Sequence, residues 1–209
     1  MQPMSDVGKD VVVKRYLALG DSYTIGEGVA EPERFPEQLC AALRQRGQHW
    51  AAPHIIARTG WTTDELAAAI DANPPAGCFD LVTLLIGVND QYRRQTPEAY
   101  RPRFRALLQQ AIAFAGERPQ QVVVLSIPDW CVTPFAAEQH RQGESPVIDL
   151  FNAVNREETL ATGAHYVDVT TISRRAAQDT SLLAADGLHP SGKMYALWVA
   201  SIMSSVPLE

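Results

Sequence analysis

Leu17-Ala18-Leu19-Gly20-Asp21-Ser22-Tyr23 reads as an apolar strand that stops abruptly at a turn. Such a run suits a buried strand of an open α/β sheet. A serine just past its carboxyl end stands where those sheets bind ligands. Taken alone, Gly20-Asp21-Ser22 is a turn or a helix cap. Its meaning changes with Asp186-Gly187-Leu188-His189-Pro190 near the far end, where an acid and a histidine stand three residues apart. Ser, Asp and His, in that chain order, are the parts of a nucleophilic triad.

Working outward, residues 11–20 hold the first strand, with Lys14-Arg15 marking its exposed start. Residues 79–86 are an almost continuous apolar run, the pattern of a central parallel strand covered on both faces. That strand delivers Gly87-Val88-Asn89-Asp90 to the same sheet edge as Ser22. Further strands are expected at 53–57, 121–127 and 165–169. Between them lie helical patterns. One covers 35–46, with Pro36 and Glu37 in its first turn and Gly47 after its end. Thr62 and Glu65 form a capping box for the next, which Asn73-Pro74-Pro75 terminates. Thr96 starts a long helix that ends at Gly116, and Pro146 opens one that ends at Gly163. A short helix is expected over 171–178, and Ser191 caps the last helix. Trp130 and Phe135, in the loop 129–145, are placed to wall a pocket. A Gly-rich loop is expected over 24–28. Strands alternate with helices throughout, so the fold class is α/β with a mostly parallel sheet. No repeat or linker interrupts the pattern, which points to one domain over 1–209, with 1–10 as a loose N-terminal arm.

Composition narrows the function. The chain has 209 residues, 46% hydrophobic and 20% charged, with a net charge of -6. An acidic chain of this kind does not suit a general nucleic-acid binder. No apolar stretch is long enough for a bilayer, so no membrane partner is expected. Met1 to Asp10 is polar and lacks the apolar segment of a secretory signal. If Met1 is the native start, the protein is expected in the cytoplasm. Cys40, Cys78 and Cys131 are odd in number and lack Cys-x-x-Cys spacing, which argues against a disulfide framework and a zinc site. Gly26-Glu27-Gly28 lacks the third glycine of a dinucleotide fingerprint, and no phosphate-binding Gly-x-x-x-x-Gly-Lys-Ser/Thr loop is present. No metal cluster is visible in the sequence, so the expected chemistry uses no cofactor and no metal. Arg101, Arg103 and Arg105 read as a solvated helix face.

Four separated segments resemble the SGNH-hydrolase family, also called GDSL esterases and lipases. Gly20-Asp21-Ser22 is similar to its first block, and Gly60 stands where the second block has its glycine. Gly87-Val88-Asn89-Asp90 is similar to the third, and Asp186-Gly187-Leu188-His189 to the last. The resemblance spans nearly the whole chain. It implies a flavodoxin-like three-layer α/β/α sandwich around a five-stranded parallel sheet in the order 2-1-3-4-5. It also assigns three oxyanion donors: the backbone N–H of Ser22, the backbone N–H of Gly60 and the side-chain amide of Asn89.

The chemistry of these residues agrees. A serine hydroxyl needs a base within reach. His189 has an acid three residues upstream and a helix directly after it, whereas His49, His54, His140 and His165 lack that setting. Asp186 is expected to orient the imidazole, with Asp168 as the rival acid near a strand end. Gly60 permits close backbone approach, and Asn89 is a neutral donor that cannot titrate away. Asp21 and Asp90 are expected to support the site by bonding backbone groups. Ile25, Trp61, Val88 and Leu188 neighbour the catalytic positions and are expected to form a small apolar acyl pocket with Trp130. The leading reading is a serine hydrolase of short-chain carboxylic esters, taking a small-molecule substrate. Alternatives are a carbohydrate O-deacetylase using Trp61 and Trp130 as sugar platforms, a thioesterase or a lysophospholipase. A ligand-binding domain with an inert pocket, and a phosphoacceptor domain using Asp21 and Asp90, are the readings outside this chemistry.

Overall fold

The computed structural model describes residues 12–208. The expected loose arm at 1–10 and the first residue of the expected first strand lie outside the described residues. In chain order the elements are β1 (Tyr16–Gly20), α1 (Ser22–Ile25), α2 (Phe35–Gln45), β2 (His54–Ala57) and α3 (Thr63–Ala72). Then come β3 (Leu81–Leu85), α4 (Val88–Tyr92), α5 (Pro97–Phe114), β4 (Val122–Leu125) and α6 (Pro134–Glu138). The chain continues with α7 (Ser145–Thr162), β5 (His165–Val167), α8 (Thr170–Ser173) and α9 (Gly192–Ser205). The strands form one five-stranded sheet in the order β2-β1-β3-β4-β5, and every neighbouring pair is parallel.

The register matters for function. Gly20 pairs with both Ala57 and Leu85, Leu84 with Val124, and Leu125 with Val167. The carboxyl ends of the strands therefore finish in one row. The segments that follow them, from Asp21, Arg58, Ile86, Ser126 and Asp168, emerge along a single edge. His165 lies at the opposite end of β5.

Helices cover both faces of the sheet. α2 packs on α9, while α5 packs on both α3 and α7. This is the three-layer sandwich, and α/β doubly wound packing explains why the central strands are apolar without alternation. β1, β3 and β4 are buried along their whole lengths. The helical layers meet through large buried rings. Phe35 of α2 meets Tyr195 and Trp198 of α9, each at a centroid separation of 6.2 Å. Tyr100 and Phe151 join α5 to α7 at 4.8 Å. Each such ring contributes roughly 1.5–3 kcal/mol by leaving water. Gly87, at φ 120°, follows β3 where a Cβ would stand 2.5 Å from the Tyr100 hydroxyl. A side chain there would push α5 off the sheet.

The arginines of α5 are more than a solvated face. Arg101 and Arg105 both bond Glu158 of α7 at 2.7–2.9 Å, and Arg103 pairs with Asp64 of α3 at 3.3 Å. Glu158 is nearly buried, and the Arg105 and Arg101 guanidiniums outweigh its desolvation and hold its carboxyl down at about 2. The spacing that suggested solvation is the i,i+4 spacing that lets two arginines share one acid on a facing helix. The cysteines are free thiols, Cys40 and Cys131 buried and Cys78 exposed. Among the described residues, no helix is long and apolar enough to cross a membrane.

Candidate active site

Asp21 sits between β1 and α1 and caps the helix, its Oδ1 accepting the N–H of Tyr23 at 3.0 Å. This cap is why the chain turns into a helix at Ser22 where the sequence suggested a Gly-rich loop. As the first residue of α1, Ser22 has an N–H without an intrahelical partner. Its side chain reaches a cavity of about 250 Å³.

His189 lines the same cavity, and so do Gly60 and Asn89. Asp186 stands behind the histidine, away from the cavity wall. Its Oδ2 lies 2.6 Å from His189 Nδ1, and its Oδ1 accepts the backbone N–H groups of Leu188 and His189, each at 3.0 Å. The turn that allows this passes through Gly187 at φ +65°. Burial raises the Asp186 carboxyl, but the His189 hydrogen bond and the two backbone donors outweigh it and hold it below the ordinary carboxylate range. An ionised Asp186 bonded to Nδ1 leaves Nε2 as the nitrogen free to take a proton from the cavity side.

The Asn89 amide is fixed by one bond. Its Nδ2 donates to the Trp61 carbonyl at 2.9 Å. That bond decides which end of the amide carries the nitrogen. The second N–H hydrogen remains for the cavity, because a primary amide has two. Gly60 adopts φ +86° in the turn closed by the Trp61 N–H and the Arg58 carbonyl. Asp90 ties the two segments together from beneath, accepting from Thr63 N at 3.0 Å and Thr63 Oγ1 at 2.7 Å.

The rest of the wall is largely apolar and aromatic. Val88, Trp130, Phe135 and Leu188 line it, together with Tyr23, Thr59 and Tyr92. Sequence reading named the first four and missed the last three. Tyr92 had a usable signal: it is four residues after Val88, so both share one face once α4 is recognised as a helix. Tyr23 and Thr59 carried none beyond adjacency to Ser22 and Gly60.

Two expected wall residues are elsewhere. Ile25 closes α1 one turn from Ser22, before the left-handed Gly26. Trp61 lines a separate hollow beside β2 and α3, and it is its carbonyl that meets Asn89. Asp168 is also remote from this cavity. It bonds Ser126 and Thr171 and lines a different hollow at the end of β5.

Asp21 is fully buried, and its Oδ2 has no partner. Burial pushes its carboxyl up to about 8, with the Tyr23 N–H opposing and the nearby Asp90 adding to the rise. The folded chain therefore keeps this proton through a pH range where the unfolded chain has released it. Excess protons on the folded state make stability fall as pH rises, here from the ordinary aspartate range up to about 8. Asp21→Asn cannot titrate but keeps the capping oxygen. The melting temperature of wild type minus that of Asp21→Asn is expected to drop by at least about 3 °C between pH 5 and pH 8.5, the displacement given by ~1 kcal/mol in a chain of this size. A difference that stays constant with pH would show that Asp21 is ionised in the fold throughout.

The sequence profile of the GDSL-like Lipase/Acylhydrolase family matches residues 18–197, from within β1 to within α9. The chain belongs to this family. GDSL-like acylhydrolases act on esters and lipids, so a hydrolase fits the constellation just described. A search of curated protein sequences gives no match. Solved structures share the GDSL fold at low identity. Phospholipase A1 from Streptomyces albidoflavus is 21% identical, with a TM-score of 0.71, covering 93% of this chain and 100% of its own. An acetyl-xylooligosaccharide esterase from Geobacillus is 16% identical, with a TM-score of 0.71, over 96% and 98%. An esterase from Pseudoalteromonas sp. is 18% identical, with a TM-score of 0.66, over 92% and 96%. At these identities the likeness is one of fold.

Proposed function

We propose that this protein hydrolyses short-chain carboxylic esters through an acyl-enzyme on Ser22. The observation that carries the reading is the meeting of Ser22, His189, Gly60 and Asn89 on one small cavity, with Asp186 bonded to the far side of His189. In acylation, Ser22 Oγ attacks the ester carbonyl while His189 Nε2 takes its proton. The carbonyl becomes an oxyanion held by the N–H groups of Ser22 and Gly60 and by the Asn89 amide. Collapse breaks the bond to the alkoxy group, which leaves as an alcohol with the proton from His189. Water then repeats the sequence, releasing the acid and restoring Ser22. Asp186 holds the imidazole in the useful tautomer and stabilises the imidazolium between steps.

The short-chain preference rests on the cavity. Its volume of about 250 Å³ lies below the usual range of ~300–1,000 Å³ for small-molecule pockets. Trp130 lines it and is itself almost fully buried. Its indole N–H bonds Gln91 at 2.9 Å, and Tyr92, Phe135 and the Arg141 guanidinium pack around its ring. Those neighbours hold the Trp130 ring in place as part of the cavity wall. Trp61 lines a separate hollow, and its absence from this wall weighs against the pair of sugar platforms that a carbohydrate deacetylase reading would use.

Hydrolysis of p-nitrophenyl esters of increasing chain length tests the proposal. The value of kcat/KM is expected to be highest for acetate to butyrate and at least about ten-fold lower for octanoate, since each methylene that fits or clashes is worth ~1–3 kcal/mol. Activity that climbs steadily toward long chains would overturn the short-chain assignment. Labelling by a fluorophosphonate separates an enzyme from an inert binding domain, which would leave Ser22 unmodified.

A further inference from the structure

Gly60 is held in place by polar ties and not by packing. A Cβ built on it would meet nothing within 4 Å, and its φ of +86° is a region where glycine moves easily. Its N–H direction therefore depends on what grips the residues on either side. On one side, the Thr59 hydroxyl donates to Glu27. On the other, Arg93 Nη2 donates to the Gly60 carbonyl at 2.7 Å, a charge-assisted bond.

Arg93 is well placed for more than one tie. It caps the carboxyl end of α4, its N–H bonding the Asn89 carbonyl at 3.0 Å. The same guanidinium meets Glu65 at 3.1 Å, and Glu65 in turn accepts the Thr62 N–H at 2.8 Å. One cation thus joins the loop bearing Gly60 to the helix bearing Asn89. Arg93 is not on the cavity wall, and its side chain is 49% exposed. An exposed ion pair of this kind adds little stability, so its bond to Gly60 is the feature with a consequence for chemistry.

We propose that Arg93 is a positioning residue that fixes the Gly60 N–H relative to the Asn89 amide, so that both donors meet one oxyanion. The inference rests on the ester-hydrolase reading above. It predicts that Arg93→Ala lowers kcat for p-nitrophenyl acetate by about ten-fold, less than outright loss of a donor, with KM within about two-fold. Arg93→Lys, which still reaches a carbonyl, recovers most of the loss. The amide resonance of Gly60 in a ¹⁵N–¹H spectrum shifts in Arg93→Ala and returns toward the wild-type position in Arg93→Lys. Melting temperatures stay near wild type in both. Unchanged kcat in Arg93→Ala would overturn the proposal whether or not the Gly60 resonance moves, as would a loss of kcat that Arg93→Lys does not relieve. A wild-type protein as inactive on esters as Ser22→Ala would instead overturn the ester-hydrolase reading, and the Gly60 resonance would still report whether the Arg93 bond to the following carbonyl sets the Gly60 N–H.

Discussion

Ser22→Ala is expected to reduce turnover of p-nitrophenyl acetate by ~10,000-fold or more, to the background of the buffer, while the protein stays folded. The size follows from what the oxygen does. It is the atom that bonds to the acyl carbon, and no neighbouring group replaces it. The structural cost is small because Ser22 does not cap α1; Asp21 does, through its own Oδ1. Alanine is the best helix former at the position left behind. His189→Ala is expected to fall almost as far, and the double variant no further than either alone, since a nucleophile and its base act as one unit. Initial rates for the single and double variants, with fluorophosphonate labelling as a second readout, check this. Equal activity in wild type and Ser22→Ala would remove Ser22 from the mechanism altogether.

The architecture was legible because its signals are local and repeated. The Thr62–Glu65 capping box, the Pro97 start of α5 and the Gly163 stop of α7 all lie where side-chain chemistry announces them. Strand ends were less so. The first strand looked as though it began at residue 11, yet the ladder starts at Tyr16. Upstream, Lys14 pairs with Trp50 in an isolated bridge outside the ladder. A ladder ends where its partner ends, and no residue of the strand itself records that. The order β2-β1-β3-β4-β5 came from resemblance to a family, because periodicity says nothing about which strands are neighbours.

The site divides along the same line. Ser22, Gly60, Asn89 and His189 stand in separate stretches, each at a strand end or a turn, and the parallel register brings them around one cavity. The wall was harder to read. Trp61 looked like a pocket residue from its position in sequence, but after the left-handed turn at Gly60 it lines a different hollow. Arg93 had no signal at all, since its bond to Gly60 spans 33 positions. Contacts of that range exist only once the sheet has set its register.

Asn89 is where sequence, geometry and chemistry converge on one number. Asn89→Ala is expected to lower kcat by about 100–1000-fold, the usual cost of one oxyanion donor, with KM little changed because the ground-state carbonyl needs that donor less than the tetrahedral species does. Part of any loss could come from the Trp61 carbonyl, which Asn89 also bonds. Asn89→Asp removes both donations while the volume of the side chain is kept. An aspartate keeps the shape of the side chain, but when ionised it only accepts, so it repels both the Trp61 carbonyl and the oxyanion. It is therefore expected to be at least as damaging as alanine. The rate of inactivation by a phosphonate ester should fall in parallel with kcat in both variants, since that reaction places an oxygen in the same site. An Asn89→Ala protein with kcat within about three-fold of wild type would mean that the oxyanion is held by the backbone N–H groups alone, far below the cost of a lost donor. The precise fixing of the amide by Trp61 would then serve the loop, and not the reaction.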